Sequence, residues 1–554
     1  MELTRRDALK LGLMGVGSLF SPFGDVQPGL AATGQCMSHA HSDPPVLQPL
    51  QFSPQIDQFQ RPFQRLQLLP AQAVGANLDG YTISLRKTNV NILPDKQTEV
   101  WSFNDLLPGP LIRQRKGRPS VVRLINLLQD ETGQSIDSSI HLHGMASLPQ
   151  YDGYAEDLIP YNHYKDYYYP NDKATTLWYH DHAIGHTSRN VYMGLAGMYI
   201  VDYEADDFYN PQDRDLLPQG DYEIPMIIQD KRFNPEGRLI FNDNAQRGTY
   251  GDVMLVNGVP WPRLEVSNRK YRFRILNGGT SRVLRLGVQV QHDTKVEPLD
   301  LIVVASDAGL LSEPIYTKTL QLGVAERYEV IIDFSKYAGK EVFLVNPILP
   351  SNGDGDLRTT RILCFQVGSG TQDNPPLPQR LGVLTPIDTL RAEVKGPTRT
   401  FRFDRNGNRW VINGNVWDVN RIDARVDPCA TEIWRFVNGG GGWVHPVHVH
   451  LGHFRLLSRN RALLQPYEQG MKDTFYVGEF ETVEMIGRFG PHEGKYMMHC
   501  HNLVHEDHDM MTQFEVGHQG CDPCSAPAKP LPAPPTYDAP PCIPPQECSL
   551  SPGG

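Results

Sequence analysis

At 554 residues the chain is too long for one ordinary hydrophobic core, and a prior of about 150 residues per domain predicts three or four domains. Its 49 glycines and 45 prolines, with 21% charged and 9% aromatic residues, favour an all-β fold of short strands and many turns. The net charge of -11 without a long basic run argues against nucleic acid as a partner, and no apolar stretch reaches the ~18 residues of a transmembrane segment.

The first residues have the order of an export signal. Arg5 and Arg6 precede a short apolar region, and "PGLAAT" then offers small residues for cleavage. This order resembles a twin-arginine signal peptide, which we place at residues 1–32. We therefore expect the twin-arginine export machinery to carry the protein to the periplasm or the extracellular space of a bacterium.

Three stretches that resemble one another recur at domain-sized intervals: "SVVRLINLL", "KYRFRILNGG" and "TEIWRFVNGG". Each reads as a strand that runs into a turn near an asparagine, Asn126, Asn277 or Asn438. Because each unit is long enough to bury its own core, the repeat predicts three copies of one β-sandwich. The predicted bounds are 45–205, 206–372 and 395–518, with a linker at 373–394.

A tail rich in proline and cysteine is predicted at residues 519–554. It cannot pack a core and is expected to be extended or disordered. Cys521 and Cys524 form a CxxC pattern that suits a metal or a redox pair, but in an oxidising compartment we favour a disulfide in this tail.

Four His-x-His pairs are the strongest chemical signal in the sequence. Residues i and i+2 of a strand point the same way, so each pair presents two imidazoles on one face. The first copy holds two pairs, the third copy holds two, and the second has the single His292. The pairs are His141 and His143, His180 and His182, His448 and His450, and His499 and His501.

This distribution predicts that the first and third copies meet and share a metal cluster, with the second copy as a spacer. Imidazole binds copper well, and eight imidazoles are enough for about three ions. Zinc is the competing interpretation, but a structural zinc site closes with four ligands, and eight exceed that number.

The stretch "HCHNLVHEDHDMM" indicates a second kind of site. Strand alternation sends Cys500 to the face opposite His499 and His501. On that face we expect the ligands His445, His505 and Met510. Two histidines, a thiolate and a weak axial methionine form a blue-copper electron-transfer site. Since Cys500 adjoins ligands of the cluster, an electron can pass between the sites through covalent bonds.

Together, "HLHG", "LWYHDHA", "HPVHVHL" and "HCHNLVHEDHDMM" resemble the copper motifs of the multicopper oxidase family, in order and spacing. "EDLIPYNHYKDYYYPND" and "GWVHPVHVHL" are most similar to the bilirubin oxidase branch, followed by the spore-coat laccases. The resemblance implies three cupredoxin-like Greek-key β-sandwich domains, dioxygen as oxidant, and four copper ions between and within them: one type 1, one type 2 and two type 3.

The resemblance also implies a ligand set for each ion. His141 and His448 would hold the type 2 ion. The type 3 ions would be held by His143, His180 and His501 and by His182, His450 and His499. The type 1 ligands would be His445, Cys500, His505 and Met510.

Three further residues are candidates for catalysis. Dioxygen reduction consumes protons in a dry site, so Asp152 and Glu506, at positions that guide protons in this family, are predicted to supply them; their alternatives are a turn aspartate and a solvated glutamate. Trp443 precedes His445 on a glycine-rich loop and is predicted to stack a flat reductant, the alternative being packing beside the copper.

Three other histidines, His186, His453 and His508, lie beside the motifs but off their spacing. We expect them to hydrogen-bond around the centre rather than bind metal.

The predicted function is oxidation of a small aromatic reductant, such as a phenol, an aromatic amine or a bilirubin-like tetrapyrrole, by a monomer. A metal-ion oxidase acting on Cu(I) or Mn(II) is the alternative, although the 14 methionines are scattered rather than grouped as Cu(I) ligands. A copper-storage, electron-carrier or coat protein is the third hypothesis, and the complete cluster argues against it because a carrier needs only the type 1 ligands.

Overall fold

The computed structural model describes residues 52–73, 78–291, 295–347, 357–370, 373–517 and 531–532. The expected signal peptide, His292 and the cysteines of the tail lie outside these residues. Among the helices in the described ranges, none is long and apolar enough to cross a membrane.

The first part of the chain forms two sheets. One has the order β1-β2-β5-β7, with β3 beside β2, and the other has the order β4-β9-β8-β6. The strands are β1 (Gln72–Ala73), β2 (Asp79–Val90), β3 (Thr98–Phe103), β4 (Gly109–Arg115), β5 (Ser120–Asn126), β6 (Ile140–His143), β7 (His163–Tyr169), β8 (Thr175–Asp181) and β9 (Ala196–Asp202).

The middle part also forms two sheets, ordered β12-β11-β10-β14-β20-β17-β18 and β13-β22-β21-β15-β16, with β19 beside β15. The strands are β10 (Glu223–Lys231), β11 (Val253–Val256), β12 (Val259–Pro260), β13 (Arg263–Val266), β14 (Lys270–Asn277), β15 (Leu284–Gln291), β16 (Val296–Leu299), β17 (Leu301–Ser306), β18 (Gly309–Thr317), β19 (Leu320–Leu322), β20 (Arg327–Asp333), β21 (Glu341–Val345) and β22 (Arg361–Val367).

The last pair of sheets has the orders β24-β23-β26-β31-β28-β29 and β25-β33-β32-β27-β30. The final short strand, β34, pairs with β7 at the edge of the sheet that contains β1, β2 and β5. The strands are β23 (Arg399–Asn406), β24 (Arg409–Ile412), β25 (Ala424–Val426), β26 (Thr431–Asn438), β27 (His445–Val449), β28 (His453–Arg459), β29 (Met471–Lys472), β30 (Thr474–Val477), β31 (Thr482–Arg488), β32 (Gly494–Cys500), β33 (Met511–Val516) and β34 (Leu531–Pro532).

Helices in the described residues are short. The α-helices are α1 (Thr187–Met193), α2 (Ile387–Glu393) and α3 (Leu503–Asp507), and the 3₁₀ helices are Pro149–Tyr151, Ala205–Asp207, Pro211–Leu216, Gly220–Tyr222, Leu357–Thr360 and Pro466–Gln469. The helix α2 lies inside the segment predicted as a linker, and the predicted domain bounds themselves stay predictions.

The repeated asparagines occupy equivalent positions in the three sheet pairs. Each ends a strand, β5, β14 or β26, that is parallel to one neighbour and antiparallel to the other. The amide of Asn126 donates to two loop carbonyls, that of Ile136 at 2.8 Å and that of Ile159 at 2.7 Å. Asn277 and Asn438 also each donate to two carbonyls. The repeat therefore reflects a buried hydrogen-bonding position where the strand meets its loops.

Burial alternates along β26 as one face of a sandwich requires. In β26, Trp434 and Phe436 are fully buried, while Ile433 and Arg435 between them are only partly buried. Each sheet pair has its own large cluster of buried side chains. Full burial of a Leu, Val or Phe side chain stabilises the fold by about 1.5–3 kcal/mol, so these cores hold the strands that carry the histidines. The all-β fold is confirmed.

Candidate metal centre

The cluster of histidines lies where strands of the first and third sheet pairs meet. β6 pairs antiparallel with β8 so that His141 is opposite His180, and β27 pairs with β32 so that His448 is opposite His499. Directly opposed residues have Cβ atoms about 5 Å apart on one face of the sheet. Each pair of strands therefore brings two imidazoles together.

Imidazoles from the two sheet pairs also contact each other. His141 Nε2 lies 3.3 Å from His448 Nε2, and His182 Nε2 lies 3.2 Å from His499 Nε2. The eight histidines of the His-x-His pairs are all buried and form three groups whose nitrogen atoms lie within 4.8 Å of one another: His141, His143 and His448; His143, His180 and His501; and His182, His450 and His499.

Several ring nitrogens at this centre have no hydrogen-bond partner among the described residues: Nδ1 of His143, Nε2 of His180, Nδ1 of His182 and both nitrogens of His501. Burial lowers the pKa of His182 and of His499 to about 4, so these imidazoles are neutral. A buried acceptor without a donor costs about 1–3 kcal/mol. Neutral imidazoles with free lone pairs therefore fit copper ions at this centre.

Asp152 lies against two imidazoles of the cluster, directly after the 3₁₀ helix Pro149–Tyr151. Its carboxylate accepts a 2.7 Å hydrogen bond from His450 Nδ1, and its backbone carbonyl accepts one of 2.5 Å from His141 Nδ1. Its Oδ1 has no hydrogen-bond partner in the described part of the chain. Burial raises the pKa of Asp152 well above its ordinary value. The structure thus places a buried acid with one free oxygen beside the imidazoles.

Glu506 stands on α3 and faces the cluster from another side. Its Oε2 lies 3.0 Å from His499 Nδ1, and its Oε1 lies 3.5 Å from His182 Nε2. Burial raises the pKa of Glu506 to about 7, although the nearby His182 acts to lower it. A carboxyl group with this pKa can hold or release a proton near neutral pH.

Cys500 ends β32, and its sulfur faces a second group of ligands. Sγ lies 3.3 Å from His445 Nδ1 and 3.7 Å from His505 Nδ1, and these two nitrogens are 3.4 Å apart. Met510 is buried in the same core. Its backbone carbonyl accepts a hydrogen bond from the Cys500 N–H, and its own N–H donates to the His505 carbonyl. Burial raises the pKa of the Cys500 thiol, so a bound cation is what would hold it as a thiolate.

Two tryptophans flank His505. Trp410 is buried with its ring 3.8 Å from that of His505, and its Nε1 donates to the Gln246 carbonyl at 2.9 Å. Trp443 is partly exposed and meets His505 edge-on at 5.8 Å. The sequence marked Trp443 as a candidate because it precedes His445. It gave no sign of Trp410, because no metal motif surrounds that residue.

An ion pair beside the cluster was also missed. Arg327, the first residue of β20, donates to both carboxylate oxygens of Asp473 at 2.7 and 2.6 Å. Burial alone would raise the pKa of Asp473, but the Arg327 guanidinium outweighs it and holds the pKa below its ordinary value. Asp473 Oδ1 also lies 3.0 Å from His143 Nε2. The middle sheet pair, expected to be a spacer, thus supplies a cation next to the centre.

The histidines beside the motifs make other contacts. His453 Nε2 donates to the Gly144 carbonyl at 2.9 Å, and His508 Nε2 lies 3.2 Å from Asp243 Oδ2. His186 is exposed and precedes α1. Among the described residues, none of these three belongs to a group of convergent ligand atoms.

Comparison with known proteins gives a consistent picture. Family models described as multicopper oxidase match residues 84–206, 205–360 and 391–520. The bilirubin oxidase of Albifimbria verrucaria is 39% identical over 453 residues, which cover 79% of this chain and 76% of that protein. The laccase of Bacillus subtilis strain 168 is 30% identical over 483 residues, covering 76% of this chain and 90% of that one.

Solved structures agree with the sequence relatives. A multicopper oxidase from the hyperthermophile Aquifex aeolicus superposes with a TM-score of 0.72 at 28% identity, covering 83% of this chain and all of that one (100%). One from Pediococcus acidilactici gives a TM-score of 0.74 at 28% identity, covering 85% and 94%. With buried imidazoles suited to copper and three cupredoxin-like β-sandwiches, the chain belongs to the multicopper oxidase family, whose members are copper-dependent oxidoreductases that use dioxygen.

Proposed function

We propose that this protein is an exported oxidase that takes single electrons from phenols, aromatic amines or bilirubin-like tetrapyrroles and reduces dioxygen to water with four of them. The observation that carries the proposal is the junction at Cys500, where one strand end joins a Cys-His site to a cluster of eight imidazoles. The similarity to a bilirubin oxidase and to laccases supports an organic reductant.

The proposed ligand sets use all twelve candidate side chains. Copper bound at these sites supplies one-electron transfer and the storage of electrons for dioxygen. Four ions are proposed: type 1 at His445, Cys500, His505 and Met510; type 2 at His141 and His448; and two type 3 ions at His143, His180 and His501 and at His182, His450 and His499.

The chain's own residues set the route of the electrons. The Cys500 side chain lies in the type 1 site, while its backbone continues into His499 and His501 of the cluster. Because covalent bonds couple electronic states more strongly than gaps through space, this tripeptide is the proposed connection between the two sites.

Protons are proposed to enter through the two buried acids. Glu506 contacts His499 and His182. Asp152 accepts a hydrogen bond from His450 through Oδ2, while its Oδ1 has no hydrogen-bond partner among the described residues. Since both groups are buried and have raised pKa values, each can carry a proton into a site from which bulk water is excluded.

Export and oligomeric state are part of the proposal. The Arg5-Arg6 pattern supports the twin-arginine route to the periplasm or beyond. A monomer is proposed because one chain supplies every candidate ligand of both sites.

Trp443 is the proposed contact for the reductant. Its ring is partly exposed and meets the ring of His505 edge-on, with the two ring centroids 5.8 Å apart. A flat conjugated molecule stacked on this indole would lie close to a type 1 ligand. Trp443 also meets the buried Trp410 at 5.5 Å, so packing beside the site remains its competing role.

A panel of reductants tests the substrate class. The purified protein would be assayed with bilirubin, a phenol, an aromatic amine, ferrocyanide, Cu(I) and Mn(II), together with the Trp443→Ala variant. We expect the protein to turn over the organic donors. Trp443→Ala should raise the KM for these donors about 10-fold and change the KM for ferrocyanide only slightly. Tyr209→Ala, which removes an exposed aromatic ring elsewhere, is the control.

Two results would contradict the assignment. Equal effects of Trp443→Ala on organic and inorganic donors would remove the stacking role. Efficient Cu(I) or Mn(II) turnover without organic activity would favour the metal-ion oxidase instead.

A further inference from the structure

Asp473 contacts two imidazoles of the cluster in two different ways. It lies between β29 and β30 and is fully buried. Its carboxylate oxygen Oδ1 lies 3.0 Å from His143 Nε2, while its backbone carbonyl lies 2.9 Å from His448 Nδ1. One residue therefore accepts a hydrogen bond from an imidazole of the first sandwich and from one of the third.

These two contacts orient the rings with opposite nitrogens toward the cluster. A carboxylate and a carbonyl only accept hydrogen bonds, so His143 must carry its proton on Nε2 and His448 on Nδ1. Nδ1 of His143 has no partner among the described residues, and Nε2 of His448 faces His141 Nε2 at 3.3 Å. The lone pairs left for metal are thus Nδ1 at His143 and Nε2 at His448.

Asp473 is itself held by the middle sandwich. Arg327 donates to both of its carboxylate oxygens, and the same guanidinium donates to the carbonyls of Thr176 at 3.0 Å and Asp307 at 2.9 Å. The packing is close, because a Cβ at Gly144 would lie 2.6 Å from Arg327 Nη2. The Arg327 guanidinium is held in place by these carbonyls, and its two parallel hydrogen bonds to the Asp473 carboxylate fix the orientation of that carboxylate.

We propose that Asp473, anchored by Arg327, is a positioning residue of the trinuclear site that sets the tautomers of His143 and His448. The inference rests on the proposed function, because it assumes that these two imidazoles bind copper. Hydrogen bonds from metal-binding imidazoles to carboxylates fix ring orientation and raise ligand basicity. The middle sandwich thereby takes part in building a site to which it gives no ligand of its own among the described residues.

The test is Asp473→Asn in the full chain. The apo protein would be titrated with Cu(II) while copper stoichiometry, the blue type 1 absorption and the type 3 absorption are recorded. We expect normal type 1 loading, an affinity of the trinuclear site lowered about 10- to 100-fold, and an altered type 3 absorption, because the carboxylate contacts the proposed type 3 ligand His143. Full loading at unchanged affinity with the wild-type type 3 absorption would overturn the proposal.

Asp307→Asn is the matched control. Asp307 belongs to the same buried charge network, since it accepts from the Arg327 backbone at 2.8 Å and lies 2.9 Å from Lys472 Nζ. Within the described part of the chain, its carboxylate has hydrogen bonds and ion pairs with Arg327, Asp473, Thr474 and Lys472 but with no histidine. We expect Asp307→Asn to lower the thermal midpoint without changing the type 3 absorption or the copper affinity of the cluster. An equal loss of cluster copper in both variants would reduce Asp473 to a structural role and contradict the proposal.

A second variant covers the case in which Asp473→Asn leaves Arg327 too poorly paired to fold. Arg327→Met combined with Asp473→Asn removes the buried cation as well, so the double variant is expected to fold, to be blue and still to load the cluster weakly. A double variant with a fully loaded cluster would overturn the proposal. If the wild-type chain itself binds no copper at the histidines, the proposed function fails, not this inference alone.

Discussion

At the scale of the residue, the alternation of a β-strand decides which site each side chain faces. Along β32 and just beyond it, His499 and His501 join the imidazole cluster while Cys500 lies 3.3 Å from His445 Nδ1. Neighbouring residues of one strand thus belong to different sites because their side chains leave opposite faces. The thiolate and the imidazoles can then hold ions of different kinds only one residue apart.

Replacing Cys500 by serine removes the sulfur from the proposed type 1 site. The blue absorption should vanish and turnover with every reductant should fall to background, because thiolate-to-copper charge transfer gives the colour and the electron path begins at this sulfur. Copper analysis should still find the trinuclear ions. Cys364→Ser, at a buried free cysteine in β22, should stay blue. A blue Cys500→Ser protein would contradict the assignment.

Removing the acids should separate the two halves of the reaction. Glu506→Gln and Asp152→Asn preserve shape but cannot deliver protons, so reoxidation of the reduced protein by dioxygen should slow by about 10²-fold or more. Reduction of the type 1 site by substrate should be unchanged, which provides an internal control in stopped-flow spectroscopy. Wild-type reoxidation rates in both variants would show that neither acid supplies protons.

At the scale of the element, a tight turn carries Asp152 to the cluster. Gly153 follows it with a φ of +75°, and a Cβ there would lie 2.4 Å from the Ile140 carbonyl oxygen of β6. Only a residue without a side chain permits this approach, so the glycine fixes the distance between the acid and the imidazoles.

Gly153→Ala should therefore cost more than the backbone conformation alone. Gly133 has a similar φ of +84° with nothing within 4 Å of the added Cβ, so Gly133→Ala should lower the free energy of unfolding by about 1 kcal/mol. Gly153→Ala should lower it by about 2 kcal/mol more, because backbone must also move. Denaturant titration measures the free energy of unfolding of both variants. Equal losses would mean that the turn at Gly153 accommodates a Cβ without moving the backbone.

The sequence predicted the sandwiches and the clustering of histidines because both follow from strand periodicity. The sequence did not predict where the strand around Cys500 ends, however: β32 ends at Cys500, and Glu506 stands on the short helix α3. Arg327 and Asp473 escaped prediction because they are far apart in the chain and no local pattern marks their contact. Tertiary contacts of this kind are visible only once the sheets are packed.

At the scale of the whole molecule, the cluster joins the first and third sandwiches. His141 and His182 of the first sandwich face His448 and His499 of the third, at 3.3 and 3.2 Å. Metal bound between them would contact both sandwiches, so its binding energy adds to the stability of the assembled fold.

Removal of copper should thus destabilise the whole molecule. Free copper at about 100 times its Kd stabilises a folded state by about 2.7 kcal/mol for each independent site. We expect the apo protein to show a lower thermal midpoint in calorimetry and readdition of Cu(II) to restore it. Asp404→Asn, a change at a partly exposed residue paired with Arg402, should respond to copper like the wild type. An unchanged midpoint on copper removal would show that the metal does not join the sandwiches.

The central claim is that electrons entering at Cys500 are collected at the histidine cluster and passed to dioxygen. The most direct measurement is full anaerobic reduction of the copper-loaded protein followed by a pulse of limiting dioxygen, with copper oxidation and hydrogen peroxide recorded together. The account predicts that each dioxygen molecule takes up four electrons and that no peroxide is released. Failure to consume dioxygen, or release of peroxide after two electrons, would contradict it.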